Sequence, residues 1–94
     1  MNISATDKLF SLGRIVITAG AHDTLERADI AEAMGRHAHG DWGDLKPDDL
    51  EQNALALREG GRLFSAYQDR QERKFFIVTE ADRSVTTVLL PEDY

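Results

Sequence analysis

The hydrophobic pattern of the chain changes period twice, and each change marks a change of element. From Arg14 to Ala19 the residues Ile15-Val16-Ile17 form a β-branched apolar run punctuated by Gly13 and Gly20, which predicts a short, well-buried strand. Ahead of it, Thr6 to Leu12 has room for one helical turn packing Leu9 and Leu12, and the first five residues are expected to fray. After Gly20 the period lengthens. Ile30, Ala33, Met34 and His37 recur at i, i+3, i+4 and i+7, the stripe of an amphipathic helix ending before Gly40. Asp23 or Thr24 can cap it, with Glu26 completing a capping box from Asp23, and Asp29 offers a later start.

Gly40 to Leu45 reads as a loop holding the only tryptophan, Trp42. A second helix then opens at Pro47, suited to the first helical position, with Asp48, Asp49 and Glu51 at the positive end of its dipole. Leu50, Ala54 and Leu57 form its expected inner face, and Gly60-Gly61 stops it. From Arg62 the period is two. Leu63, Ser65 and Tyr67 alternate with Phe64 and Ala66, Asp69 to Arg73 is a turn, Phe75 to Thr79 runs apolar, and Glu80 to Ser84 leads into Val85 to Leu90, which Pro91 ends. Short connections make these three strands an antiparallel meander, with the strand from Lys74 at its centre.

The order β, α, α, β, β, β predicts an α+β fold: two helices packed on one face of an antiparallel sheet that ends in a three-stranded meander. Residues 1–94 make a single domain. Its expected core includes Ile15, Ile17, Met34, Leu50, Leu57, Leu63, Phe76, Val78, Val88 and Leu90. The place of the first strand in the sheet stays open.

Composition narrows the function classes. Hydrophobic residues at 41% and charged residues at 30% exclude disorder of the whole chain. The lack of cysteine excludes disulfide staples and thiolate metal sites. Met1 to Gly13 lacks a basic region followed by a long apolar run, and no apolar run approaches a membrane span, so a cytoplasmic protein without membrane contact is expected. The net charge is −6, a poor sign for holding phosphate backbones, and no direct nucleic-acid binding is expected. The acidity is local: Ala21 to Glu59 carries ten acids against four bases, whereas Gly60 to Thr79 has four bases against two acids.

Four groups carry candidate chemistry. His37, His39 and Asp41 form an H-x-H-x-D string of acceptable metal ligands, but His22 lies fifteen residues upstream and no further ligand stands at telling spacing; helix-end packing accounts for both histidines. Trp42 is either a core plug or an exposed anchor for a partner. Asp41, Asp44, Asp48, Asp49 and Glu51 set five acids against Lys46 within eleven residues, which either is helix-terminal charge or mimics a phosphate backbone before a basic groove. Glu80, Asp82 and Arg83, with the hydroxyls of Ser84, Thr86 and Thr87, are the most enzyme-like group. In a metal-independent ribonuclease Glu80 would be the base, Arg83 would hold the phosphate and His37 would be the acid; Asp82-Arg83-Ser84 is equally an ordinary turn. Phosphate-binding loops, nucleophile elbows and zinc-protease motifs do not occur.

Three segments, Gly13-Arg14-Ile15-Val16-Ile17-Thr18-Ala19-Gly20-Ala21, Arg36-His37-Ala38-His39-Gly40-Asp41-Trp42-Gly43 and Thr79 through Pro91, together resemble a group of short uncharacterised proteins of bacterial plasmids, integrative elements and prophages. The resemblance spans Gly13 to Tyr94 and implies a mobile-element setting. It supplies no mechanism, since the group has no established activity.

These readings converge on a small acidic protein-binding module without a cofactor. Asp41, Trp42, Asp44, Asp48, Asp49 and Glu51 would meet a host protein bearing a basic nucleic-acid-binding surface, as an inhibitor of a restriction or CRISPR-type complex would. A small ribonuclease or a purely structural domain are the alternatives.

Overall fold

The structure, a computed structural model, describes residues 8–94. The expected fraying of residues 1–5, and the start of a turn at Thr6, lie outside that range; from Lys8 to Leu12 the chain is not helical. The elements are β1 (Arg14–Ile17), α1 (Ala19–Thr24), α2 (Arg27–Ala38), α3 (Pro47–Glu59), β2 (Leu63–Gln68), β3 (Lys74–Thr79), β4 (Val85–Leu89) and a 3₁₀ turn at Pro91–Asp93. This is the expected α+β arrangement, with helices on a four-stranded sheet of order β1-β4-β3-β2.

β2, β3 and β4 form the antiparallel meander, with β3 inside it. β1 joins as the fourth strand and runs parallel to β4, so the sheet is mixed rather than wholly antiparallel. The expected burial of β1 is corrected by its position. It is an outer strand, and Ile15 and Ile17 are 49% and 38% exposed.

Ala19 to Thr24, expected as the end of that strand, a break at Gly20 and the cap of the next helix at Asp23 or Thr24, instead make a helix of their own, α1. The Thr18 hydroxyl oxygen accepts the Ala21 N–H at 3.2 Å, capping a helix that Ala19, Gly20 and Ala21 enter without β-branched crowding. Thr18 also donates to Asp93 Oδ2 at 2.7 Å, and the same oxygen accepts the Leu90 N–H at 3.1 Å. The C-terminal turn is thereby tied to the start of α1.

α2 buries the stripe read from the sequence, Ile30, Ala33, Met34 and His37, with Ala38 beside it. Against it pack Leu12, Tyr67, Phe75, Ile77, Val88 and Leu90. α3 is rotated from its expected phase. Asn53 and Ala56 are buried and Leu57 half-buried, while Leu50 is 41% exposed. The cause is Asn53, whose amide donates to the Phe64 carbonyl at 2.7 Å and accepts the Phe64 N–H at 3.2 Å; a polar side chain that completes a strand edge belongs inside. Phe76, expected in the core, is half-buried on the other face of the sheet, where its ring lies 4.8 Å from Phe64 and 5.9 Å from Tyr94.

The outer edge of β2 is closed at Phe64 and Ala66. Besides the Asn53 pair at Phe64, Ala66 donates to the Trp42 carbonyl at 3.1 Å and accepts the Asp44 N–H at 2.8 Å. Gly43, between them, takes φ of +75° and lies where any Cβ would overlap the Ala66 carbonyl, so glycine is required for the loop to approach the strand.

Candidate functional site

The H-x-H-x-D string divides in three directions. His37 is fully buried. Its Nδ1 lies 2.5 Å from Ser65 Oγ and its Nε2 2.9 Å from Thr79 Oγ1. Thr79 Oγ1 is 2.7 Å from Thr86 Oγ1, which donates to the Leu12 carbonyl at 2.7 Å. That last acceptor sets the direction of the chain as far as the ring: Thr86 gives its hydrogen to Leu12, so it accepts from Thr79, and Thr79 accepts from Nε2–H; when the ring is neutral, Ser65 donates to Nδ1. The imidazole is held neutral, and burial pushes its pKa down to about 4. A neutral ring with both nitrogens occupied is a core strut.

His39 turns the other way, with Nδ1 at 2.6 Å from the Gly35 carbonyl. Asp41 is engaged by a two-pronged contact from Arg36, Nε to Oδ2 at 2.8 Å and a terminal nitrogen to Oδ1 at 3.2 Å. That guanidinium holds the Asp41 carboxyl below its ordinary pKa, and the Arg36 head lies 4.7 Å from the centre of the Tyr67 ring. The Tyr67 hydroxyl donates to the Asp41 carbonyl at 2.7 Å. Among the described residues no group of three or more His, Asp or Glu side chains is placed to hold a metal.

Trp42 follows its packing alternative. It is 9% exposed, stacked on Phe10 at 6.1 Å and edge-on to His37 at 5.5 Å. The acidic cluster is thus reduced at its start, since Asp41 is paired and Trp42 enclosed. Asp44, Asp48, Asp49 and Glu51 remain exposed, and none of the four makes an ion pair among the described residues. Leu50 stands exposed in the same helical turn.

Glu80, Arg83 and His37 do not meet around an open cleft. Glu80 contacts Arg62 at 3.3 Å. Arg83 donates through one terminal nitrogen to the carbonyls of Gly61 and Glu80 at 2.5 and 3.2 Å, and through the other to Ala56 at 3.0 Å. Phe10 packs against both the Arg83 head, at 5.7 Å, and the His37 ring, at 5.3 Å. Asp82 accepts the Ser84 N–H at 3.0 Å and its hydroxyl at 2.6 Å, an ordinary Asx turn; Thr86 serves the core and Thr87 is half-buried. The sequence reading missed the Ser65–His37–Thr79–Thr86 chain, although three hydroxyls at inward positions of adjacent strands were its available signal.

No helix among the described residues is long and apolar enough to cross a membrane. No protein-family model, curated protein or solved structure matches the chain.

Proposed function

We propose that the protein is a non-catalytic binding module of a mobile genetic element, whose acidic face occupies the basic surface of a host nucleic-acid-handling protein, such as a restriction or CRISPR-type complex, and blocks it. The observation that carries this reading is the set of four exposed carboxylates, Asp44, Asp48, Asp49 and Glu51, without a cation partner among the described residues. They stand on a junction held rigidly by the Arg36–Asp41 contact and the loop pairing with β2. Carboxylates so placed steer association toward Arg- and Lys-rich grooves, and Leu50 beside them supplies an apolar contact to be desolvated.

One change in rate and one in recovery follow. Asp44→Lys with Asp48→Lys is expected to slow association with the captured partner by about tenfold or more, because both sites are exposed and act at the encounter stage. Melting temperature should change little. Partner capture from a host extract, run at low and high salt, is expected to lose the partner at high salt; recovery of no basic, nucleic-acid-handling protein in either condition sinks the reading.

A further inference from the structure

The two edges of the sheet are treated differently. Every outward-facing backbone group of Phe64 and Ala66 on β2 is satisfied by Asn53 and by the loop at Trp42–Asp44. On β1 the bonds to β4 are made by even-numbered residues, Arg14 N–H to Ser84 and Thr18 N–H to Val88, so the N–H and C=O groups of Ile15 and Ile17 point away from the sheet. No described residue pairs with them. An unpaired edge is a template for another strand.

Beside that edge runs a groove of about 560 Å³ between β1 and α2. Ile15 and Ile17 form one wall and Ile30 and Met34 line the other, while Lys8 and Arg27 are its charged lining residues. No acid lines it. Lys8, Arg27 and Arg14 make no ion pair among the described residues, although the chain as a whole has a net charge of −6. A lining residue of the same groove, His39, has Nε2 buried without a hydrogen-bond partner among the described residues.

We propose that this edge and groove bind an extended segment of a second protein, which adds to β1 as a fifth strand, sets aliphatic side chains at alternate positions into the groove and carries carboxylates at its ends. Each feature answers one observation. The peptide backbone satisfies Ile15 and Ile17, the alternation matches the two-residue period of a strand, and the carboxylates meet Lys8, Arg14 and Arg27, which make no ion pair among the described residues. A second copy of this chain is disfavoured as occupant, because pairing β1 with β1 would bring two sets of Lys8, Arg14 and Arg27 together. This site lies apart from the acidic face and does not depend on it.

The test uses the whole 94-residue chain and fluorescein-labelled peptides of about ten residues with an alternating Ile/Thr/Val centre, read by fluorescence anisotropy and amide NMR. One peptide has Glu and Asp at both ends, one has Lys there instead, and one keeps the acids but is N-methylated along one strand edge. The acidic peptide should bind and shift amides in β1 and α2, with the other two at least about tenfold weaker. Ile17→Pro removes an N–H that β4 does not use, and should weaken binding by about tenfold or more; Lys8→Glu with Arg27→Glu, which touches only exposed charges, should do so without altering the melt. Several outcomes overturn the proposal: no binding of the acidic peptide up to about 1 mM, equal binding of the Lys-ended peptide, or shifts confined to Asp44–Glu51. Self-association that Ile17→Asp abolishes would assign the edge to a second copy, and binding of oleate micelles in preference to peptide would assign the groove to a lipid; either also overturns it.

Discussion

Lowering the pH from 7 to 4.5 is expected to remove about 2.5 kcal/mol of folding stability, a fall caused by one residue, His37. The folded imidazole titrates at about 4 because it is enclosed, whereas the unfolded one titrates near 6.5. Its folded pKa is therefore depressed, and for a base this means that protonation favours the unfolded chain. Stability is intact above the unfolded value and is lost as pH falls from about 6.5 to about 4, with no further loss from this group below that. Burial is the cause: the ring is enclosed away from water, and its two hydrogen-bond partners, Ser65 and Thr79, are neutral hydroxyls that bring no negative charge to offset the desolvation of the cation. Asp29, Asp41 and Asp82 have lowered pKa values, so their contributions are lost below about 4 and do not overlap the window. Urea titrations at several pH values would read the slope. His37→Gln offers one donor and one acceptor without a titrating proton, and should flatten the curve between pH 6.5 and 4.5 while lowering stability at pH 7 by about 1–3 kcal/mol. An equal slope in the variant, or an NMR titration placing the His37 ring near its ordinary value, would contradict the assignment.

The fold was legible where local chemistry decides it. The stripe of α2, the proline and acids that open α3, Gly60-Gly61 and the two-residue period after Arg62 each left a mark in sequence, and the corresponding elements are present. What was not legible depends on partners far along the chain. Apolarity alone cannot distinguish a central strand from an outer one facing a groove, which is why Ile15 and Ile17 read as buried. The phase of α3 turned on Asn53, a polar residue that only the unpaired edge at Phe64 draws inward. The candidate site divides on the same line. Asp44, Asp48, Asp49 and Glu51 are exposed as a solvated helix start requires, whereas Asp41 and Trp42 are drawn away by Arg36 and by Phe10 and His37. Arg83 is the clearest case, since two of the carbonyls it reaches, those of Gly61 and Ala56, lie 22 and 27 residues away in sequence.

Arg83→Ala is expected to lower stability by about 3 kcal/mol, a fall in Tm of about 15 °C for a chain of this size. As a phosphate ligand on a surface loop, Arg83 would be replaceable without harm to the fold. Its guanidinium instead gathers the carbonyls of Ala56, Gly61 and Glu80, joining the end of α3, the entry to β2 and the β3–β4 turn. Ala56 already accepts the Gly60 N–H in the ordinary helix-end bond, while the Gly61 carbonyl has no other donor among the described residues, so it would lose its charged donor and face partial burial. The backbone adds a second, separable component. Arg83 has φ of +62°, a conformation costing a side-chain-bearing residue about 1 kcal/mol that glycine does not incur. Arg83→Gly should therefore be less damaging than Arg83→Ala by about that amount, although both lack the guanidinium. Arg83→Lys should recover only part of the loss, because a single ammonium cannot span carbonyls that a planar fork reaches through two nitrogens. Thermal melts of the three variants give the order Lys, Gly, Ala or Gly, Lys, Ala, with alanine lowest in either case. A melting temperature for Arg83→Ala within about 2 °C of the parent, accompanied by loss of a metal-independent RNA cleavage that the parent performs, would reverse the assignment and return Arg83 to the role of phosphate ligand.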